Sequence, residues 1–183
     1  MDHRAVAHTA INQYHAAQDQ DELSTFLSLV DDPGIRRVIE IGTFAGGLTW
    51  ALEQIPSVEQ VITMDIAERP RYIGPKTKFI LGRSSNNATV VAVDEGLGFN
   101  QADLLIIDGG HLESEVNEDW EMYRSLVRQG GMVMFHDINE WNHHPDIQVR
   151  KAWLEVSSHY PHVEICANRW TSPGTGLLWL IGE

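Results

Sequence analysis

Five short apolar runs recur along the chain, each followed by turn residues and separated from the next by a segment of helical or mixed character. These strand-like runs cover residues 36–42, 59–66, 78–82, 102–108 and 132–138. Because strands that alternate with helices form parallel β-α units with right-handed crossovers, the pattern predicts one sheet with helices on both faces. The run at 102–108 is apolar from Leu104 to Ile107 and ends at Asp108, which is typical of a strand buried inside a parallel sheet.

The two ends of the chain depart from this alternation. The first residues predict two helices, at about 3–18 and 20–30. Near the other end, runs at 162–168 and 176–182 are joined by a short turn-rich connection, so we expect an antiparallel hairpin. We therefore predict an α/β fold: a doubly wound, Rossmann-like sheet of about seven strands with a C-terminal hairpin. A single domain over 1–183 is expected, with N-terminal helices at 1–31 and an α/β core at 36–183.

The strongest helical pattern follows the fourth strand. Apolar residues from Leu112 to Val127 fall on one helical face, and acidic residues precede Arg124 and Arg128, as the helix dipole favours. A pair of glycines, Gly130 and Gly131, then suits a C-cap. The pattern predicts one long helix that ends at these glycines.

Composition excludes several classes of partner. The formal net charge is -13, from 26 acidic and 13 basic residues, which argues against nucleic acid and anionic membranes as partners. The single cysteine, Cys166, permits no internal disulfide and suits a reducing compartment. The N-terminal residues are too polar for a signal peptide, and no apolar run approaches the ~18 residues of a membrane span. We expect a cytoplasmic protein that acts on a small molecule.

A glycine-rich turn follows the first strand, in the stretch VIEIGTFAGG. Gly42 and Gly46 would let the backbone approach a ligand, and the helix start favours an electronegative group. Thr43 stands where a nicotinamide fingerprint has its second glycine, which disfavours that cofactor. Asp65 ends the second strand, where an acidic residue commonly accepts hydrogen bonds from ribose hydroxyls. These residues predict a nucleotide-like cofactor.

Polar residues also end the fourth and fifth strands. Asp108 follows one of them, and His136 and Asp137 follow the other. Sequential β-α units commonly place such strands side by side, so these side chains should face one crevice. Carboxylates and imidazole with open positions suit Mg²⁺, Mn²⁺ or a similar divalent cation.

These stretches resemble a known family. VIEIGTFAGG, DLLIIDGGH and RQGGMVMFHDI are similar to class I S-adenosylmethionine-dependent methyltransferases, specifically to the group of cephalosporin-hydroxylase-like proteins and macrolide-sugar O-methyltransferases. The similarity covers most of residues 36–182. It implies a class I methyltransferase fold with S-adenosylmethionine as methyl donor. The cofactor-binding residues that follow from the motifs and the resemblance are Glu40, Gly42, Thr43, Gly46, Asp65, Ser84 and Asp108, with Ser85 a weaker candidate.

The same resemblance implies roles for the second cluster. Asp108, His136 and Asp137 match the positions that hold a divalent cation, although a carboxylate or amide often stands where His136 does. His111 matches a general base, and a neutral imidazole can accept a proton from a hydroxyl that the cation has made more acidic.

The sequence therefore predicts an S-adenosylmethionine-dependent, cation-assisted O-methyltransferase of a small hydroxylated acceptor. Two alternatives remain: a non-catalytic protein that binds the same cofactor, and, less favoured, a nicotinamide-dependent oxidoreductase. The N-terminal helices could cap the crevice or form a homodimer. Loop residues that could line an acceptor pocket are Trp141, Asn142, His143 and His144.

Overall fold

The computed structural model describes residues 1–68, 70–139 and 146–181. The elements in chain order are α1 (His3–Tyr14), α2 (Gln20–Val30), β1 (Arg37–Ile41), α3 (Gly47–Glu53), β2 (Gln60–Asp65), β3 (Thr77–Leu81), α4 (Asn87–Gly96), β4 (Ala102–Ile107), α5 (Glu113–Tyr123), a 3₁₀ turn (Arg124–Leu126), β5 (Val127–His136), α6 (Val149–Ser157), β6 (His162–Ile165) and β7 (Thr175–Trp179).

One seven-stranded sheet joins these strands in the order β3-β2-β1-β4-β5-β7-β6. The first five strands are parallel to one another, whereas β7 runs antiparallel to both β5 and β6. The predicted doubly wound sheet with its C-terminal hairpin is thus confirmed. The strand order reverses between β1 and β4, and in open α/β sheets ligands bind beyond the carboxyl ends of the strands at such a point.

Helices cover both faces of the sheet, which explains why β4 is apolar at every position from Leu104 to Ile107. Leu105 and Ile107 belong to a core that also contains residues of α4, α5 and α6. Leu104 and Ile106 belong to the opposite core, with residues of α1, α2 and α3. Because successive side chains of a strand point to opposite faces, a strand between two cores needs apolar residues at every position.

The long helix predicted after β4 is wrong in its second half. The α-helix ends at Tyr123, and Val127 begins β5, where it is aligned with Ala102 of β4. Gly130 and Gly131 lie inside this strand, and the Gly130 amide donates to the carbonyl of Leu180. The apolar spacing continued because both the helix and the strand bury residues against the same core.

Two other helices, α1 and α6, also differ from the prediction. The first helix ends at Tyr14 instead of residue 18, because His15 adopts a left-handed conformation with φ 59°. The segment 15–19 therefore passes to α2 without helical structure. Helix α6 was not predicted. Among the described helices, none is long and apolar enough to cross a membrane.

Asp103 connects β1, β4 and β5 at the end of the sheet opposite the crevice, where β1 and β4 begin. Its Oδ2 accepts hydrogen bonds from the amides of Arg36 and Arg37, each at 2.9 Å. Its Oδ1 accepts one from Nε of Arg128 at 2.6 Å, which connects β4 to β5. Burial raises the pKa of Asp103, but Arg128 and the two amides outweigh burial and hold it below its usual value.

Asp103→Asn should lower the free energy of unfolding at pH 7 by about 1–3 kcal/mol, because it removes a charged acceptor from three buried or half-buried donors. Since the folded pKa is depressed, this contribution is fully present above the unfolded value of about 3.9 and is lost as the pH falls through the folded value. Denaturant unfolding at several pH values measures it, and the exposed Glu155→Gln on α6 is the control. Equal stability of Asp103→Asn and wild type at pH 7 would contradict the assignment.

Candidate active site

A cavity of about 840 Å³ opens beyond the carboxyl ends of β1 to β5. Of the residues implicated by the sequence, it is lined by Gly42, Thr43, Asp65, Ser84, Ser85, Asp108, His111, His136 and Asp137. Residues from the segment between α1 and α2 complete its wall. The structure thus brings the glycine-rich turn and the second polar cluster into one space. Glu40 and Gly46 are not part of its lining.

The glycine-rich turn is fixed by contacts with its neighbours. Gly42 has φ 97°, and a Cβ atom there would lie 1.9 Å from the carbonyl oxygen of Asp108. Gly47 at the start of α3 is equally enclosed, since its Cβ would lie 2.2 Å from the amide nitrogen of Ala16. Any side chain at Gly42 would push apart the ends of β1 and β4. At Gly42 the turn therefore lines the cavity with backbone alone.

Glu40 lies behind this turn. Its side chain is fully buried, and Oε2 accepts a hydrogen bond from the hydroxyl of Thr49 at 2.5 Å. Burial raises the pKa of Glu40 to about 7, against the hydrogen bonds of Thr49 and Thr63. The hydroxyl of Thr63 also lies 2.7 Å from the hydroxyl of Thr43, which belongs to the turn. Glu40 is thus linked to the turn through Thr63.

Asp65 lies where the sequence predicts an acceptor for ribose hydroxyls. Its Oδ2 accepts from the amide of Phe44 at 2.8 Å, and its Oδ1 accepts from the amide of Ala67 at 2.9 Å. Each carboxylate oxygen retains capacity for a second hydrogen bond. The two backbone donors hold the carboxylate at the cavity wall, ready to accept from a ligand.

The second cluster forms a continuous chain of contacts. His111 Nε2 lies 2.9 Å from Oδ2 of Asp137, and this oxygen lies 3.3 Å from Nδ1 of His136. The same Nδ1 is 3.0 Å from Oδ1 of Asp108. Asp137 has φ 59°, an uncommon conformation for a residue with a side chain. This unusual backbone occurs where the side chain must reach both imidazoles.

The two imidazoles have different environments. Burial lowers the pKa of His136, but the carboxylates of Asp108 and Asp137 outweigh burial and raise it to about 10. The hydrogen bond with Asp137 raises the pKa of His111, whose side chain is 44% exposed. Of the two, His111 can therefore meet a molecule in the cavity, whereas His136 is enclosed between carboxylates.

Potential ligand atoms for a cation converge within this cluster. One ligand atom from each of Asp108, His111 and Asp137 lies within 4.8 Å of the other two. Two carboxylates with one imidazole suit a divalent cation that retains open positions for water or substrate. His136, which the sequence implicated as a ligand, directs Nδ1 at the two carboxylates. Its Nε2 is buried and has no hydrogen-bond partner in the described parts of the chain.

Gln18 was missed by the sequence reasoning. It belongs to the segment 15–19, and its amide Nε2 donates to Oδ2 of Asp108 at 2.7 Å. Only the NH₂ group of the amide can face a carboxylate, which leaves Oε1 buried and without a partner among the described residues. The segment is anchored beside it, where Tyr14 stacks on Trp50 at 4.6 Å. No local pattern could reveal a contact across 90 positions of sequence.

Asp119 was also missed, although the sequence held a signal for it. It lies on the buried face of α5 together with Val116 and Tyr123, and it lines the cavity beside Ser84. An acidic residue on an apolar helical face is unusual and usually has a specific partner. The loop residues Trp141, Asn142, His143 and His144 lie outside the described residues.

The sequence matches a known protein family and one relative. A family model described as a methyltransferase domain matches residues 39–138. An uncharacterized protein of Acanthamoeba polyphaga mimivirus is 29% identical over 120 residues, which are 60% of this chain and 54% of that protein.

Similar solved structures share the fold at low identity. The MycE methyltransferase of the mycinamycin biosynthetic pathway, in complex with Mg, SAH and mycinamycin VI, has TM-score 0.70 and 14% identity over 97% of this chain and 54% of its own. The O-methyltransferase TomG from Streptomyces achromogenes, involved in tomaymycin synthesis and in complex with SAM, has TM-score 0.66 and 17% identity, covering 100% and 91%. An O-methyltransferase from Bacillus cereus in complex with SAH has TM-score 0.66 and 17% identity, covering 98% and 90%. The chain spans about half the length of MycE and of the mimivirus protein.

Proposed function

The chain belongs to the methyltransferase-domain family, and we propose that it is an S-adenosylmethionine-dependent O-methyltransferase that uses Mg²⁺ or Mn²⁺ to methylate a small hydroxylated acceptor. One observation carries the proposal. A single cavity joins the bare turn at Gly42 and the carboxylate of Asp65 to the group formed by Asp108, His111 and Asp137. A methyl donor and a polarised hydroxyl would then meet in one place.

The cofactor half of the cavity fits a nucleoside with an amino-acid tail. Gly42 offers backbone without a side chain, and Asp65 offers a fixed acceptor for hydroxyl groups. S-adenosylmethionine, when bound, supplies a methyl group on a positively charged sulfur. The surrounding carboxylates, with those of Asp65 and Asp108 among them, suit a cationic ligand better than an anionic pyrophosphate.

The cation half offers carboxylate oxygens from Asp108 and Asp137 and an imidazole from His111 or His136. A divalent cation supplies positive charge that makes a nearby hydroxyl more acidic. His111 is the exposed imidazole of this cluster, and Nδ1, the ring nitrogen that does not face Asp137, would accept the hydroxyl proton while Nε2 donates to Asp137. Asp137 orients the ring and stabilises its positive charge once the proton is held.

The two alternative functions explain fewer of these observations. A protein that only binds the cofactor has no need for the linked chain from His111 to Asp108. A nicotinamide-dependent oxidoreductase is disfavoured by Thr43 in the turn and by membership of the methyltransferase family.

The cofactor assignment predicts that S-adenosylhomocysteine binds the wild-type protein. Asp65→Ala should weaken this binding by about 1–3 kcal/mol, because a charged acceptor for hydroxyl groups is lost. Isothermal titration calorimetry measures the affinity. Asp65→Asn, which keeps one acceptor oxygen, should lose less, and the exposed Glu95→Gln on α4 is the control. Wild-type protein that binds NAD but not S-adenosylhomocysteine would overturn the assignment.

The cation assignment predicts that Mn²⁺ binds in the presence of S-adenosylhomocysteine. Asp137→Asn should weaken Mn²⁺ binding at least about tenfold, the smallest loss typical of altering residues around a metal. Its affinity for S-adenosylhomocysteine should stay nearly unchanged, since Asp65 and the Gly42 turn are untouched. Glu118→Gln removes an exposed carboxylate at the cavity rim and should leave Mn²⁺ binding unaltered. Full turnover after exhaustive treatment with chelator would refute the site.

The base assignment predicts that His111→Gln lowers turnover by about 10²–10⁴-fold, the usual range for a positioned general base. The wild-type rate should also fall as the pH drops and the imidazole becomes protonated. The assay uses saturating Mn²⁺ and cofactor with the first acceptor methylated in a screen of phenols, catechols and glycosides. The exposed His159→Gln is the control. Near-normal turnover would assign proton removal elsewhere, and a large loss of Mn²⁺ affinity would make His111 a ligand.

A further inference from the structure

Among the described residues, Asp119 is the one buried carboxyl of the cavity wall that the proposed chemistry does not use. It is 2% exposed and lies on α5, where it lines the cavity together with Ser84, a residue that follows β3. The Ser84 hydroxyl forms a hydrogen bond with its carboxyl group. Its Oδ2 atom is buried and has no hydrogen-bond partner within residues 1–68, 70–139 and 146–181. A buried acceptor without a donor is costly, so such atoms usually await a water, an ion or a ligand.

The neighbouring charged side chains do not explain why a carboxyl group is buried at this position. Glu115 and Glu118 lie on the same helix and act unfavourably on it. Arg83 acts favourably, but its guanidinium forms its ion pair with Glu115, at 3.7 Å. Burial raises the pKa of Asp119 to about 6, against the Ser84 hydrogen bond. At neutral pH the carboxyl is therefore mainly ionised and remains an acceptor.

The position of Asp119 follows from the strand order. His136 and Asp137 end β5, Asp108 follows β4, Asp65 ends β2 and Ser84 follows β3. Tyr123 of α5 donates to the carbonyl of Ser84 at 2.8 Å, which holds α5 against this end of the cavity. A ligand with its ribose at Asp65 and its reactive end near Asp108 would place its base beside Ser84 and Asp119, which both line the cavity.

Adenine carries one kind of donor and several acceptors. Its exocyclic amino group donates, whereas its unsubstituted ring nitrogens accept. We infer that Asp119, supported by Ser84, recognises the adenine amino group and so makes the cavity selective for adenosyl compounds. This inference rests on the proposed function, because it presumes that the ribose binds at Asp65.

The test pairs a change in the protein with the matching change in the ligand. The two ligands are S-adenosylhomocysteine and its 6-deamino analogue, in which hydrogen replaces the amino group. Wild-type protein should bind S-adenosylhomocysteine about 10–100-fold more tightly than the analogue, the range for a hydrogen bond to a charged group. In Asp119→Ala this ratio should approach one, because the partner of the amino group is gone. A double-mutant cycle isolates the pairwise interaction from general damage to the cavity.

Two further variants keep the test decisive. Asp119→Asn retains an acceptor oxygen and most of the shape, so its ratio should lie between those of wild type and Asp119→Ala. It also carries the test if Asp119→Ala does not fold. Glu121→Gln removes an exposed carboxylate from the same helix and should keep the wild-type ratio. Thermal unfolding checks that each variant is folded.

The outcomes separate this inference from the function beneath it. If wild type binds S-adenosylhomocysteine but Asp119→Asn and every other folded Asp119 variant keep its full discrimination, the role of Asp119 is refuted and the methyltransferase proposal stands. If wild type binds neither ligand, both are refuted. Loss of discrimination in the Asp119 variants alone, with binding of the 6-deamino analogue preserved, supports the inference.

Discussion

The contact between Gly42 and Asp108 is the constraint on which the site depends. These residues follow β1 and β4, the neighbouring strands between which the strand order reverses. The amide of Asp108 donates to the carbonyl of Ile41 at 3.0 Å, and the space beside Gly42 has no room for a Cβ atom. With its backbone fixed in this way, Asp108 directs its carboxylate toward Gln18 and His136. Asp137 and His111 are then positioned through the chain of contacts that begins there.

The sequence could predict those features that depend on residues close together in the chain. Alternating strands and helices, the turn at Gly42 and the position of Asp65 all follow from residues close together in the chain, and the fold they predicted is confirmed. The resemblance to methyltransferases is confirmed by the family match. The end of α5 could not be predicted, because Val127 continues the apolar spacing of the helix while pairing with a distant strand.

The arrangement of the second cluster needed the tertiary structure. Motif positions and the resemblance implicated Asp108, His136 and Asp137 as cation ligands and His111 as the base that acts beside them. The folded chain places the His111 imidazole beside Asp137 and encloses His136 between carboxylates. This difference arises from the left-handed backbone at Asp137, which turns its carboxylate toward His111 and which no sequence pattern specified.

The two halves of the cavity, around Asp65 and around Asp108, are held by different kinds of interaction. They therefore differ in how strongly a substitution would change them. Backbone groups fix the cofactor half: the amides of Phe44 and Ala67 hold Asp65, and a missing side chain shapes the turn. Side-chain contacts among elements far apart in sequence fix the other half, from Gln18 to Asp137. A substitution of Gln18 or Asp137 would abolish such a side-chain contact, whereas the backbone donors to Asp65 do not depend on the side chains of Phe44 and Ala67. The end of the cavity near Asp108 and Asp137 is therefore more sensitive to single substitutions than the position of the Asp65 carboxylate.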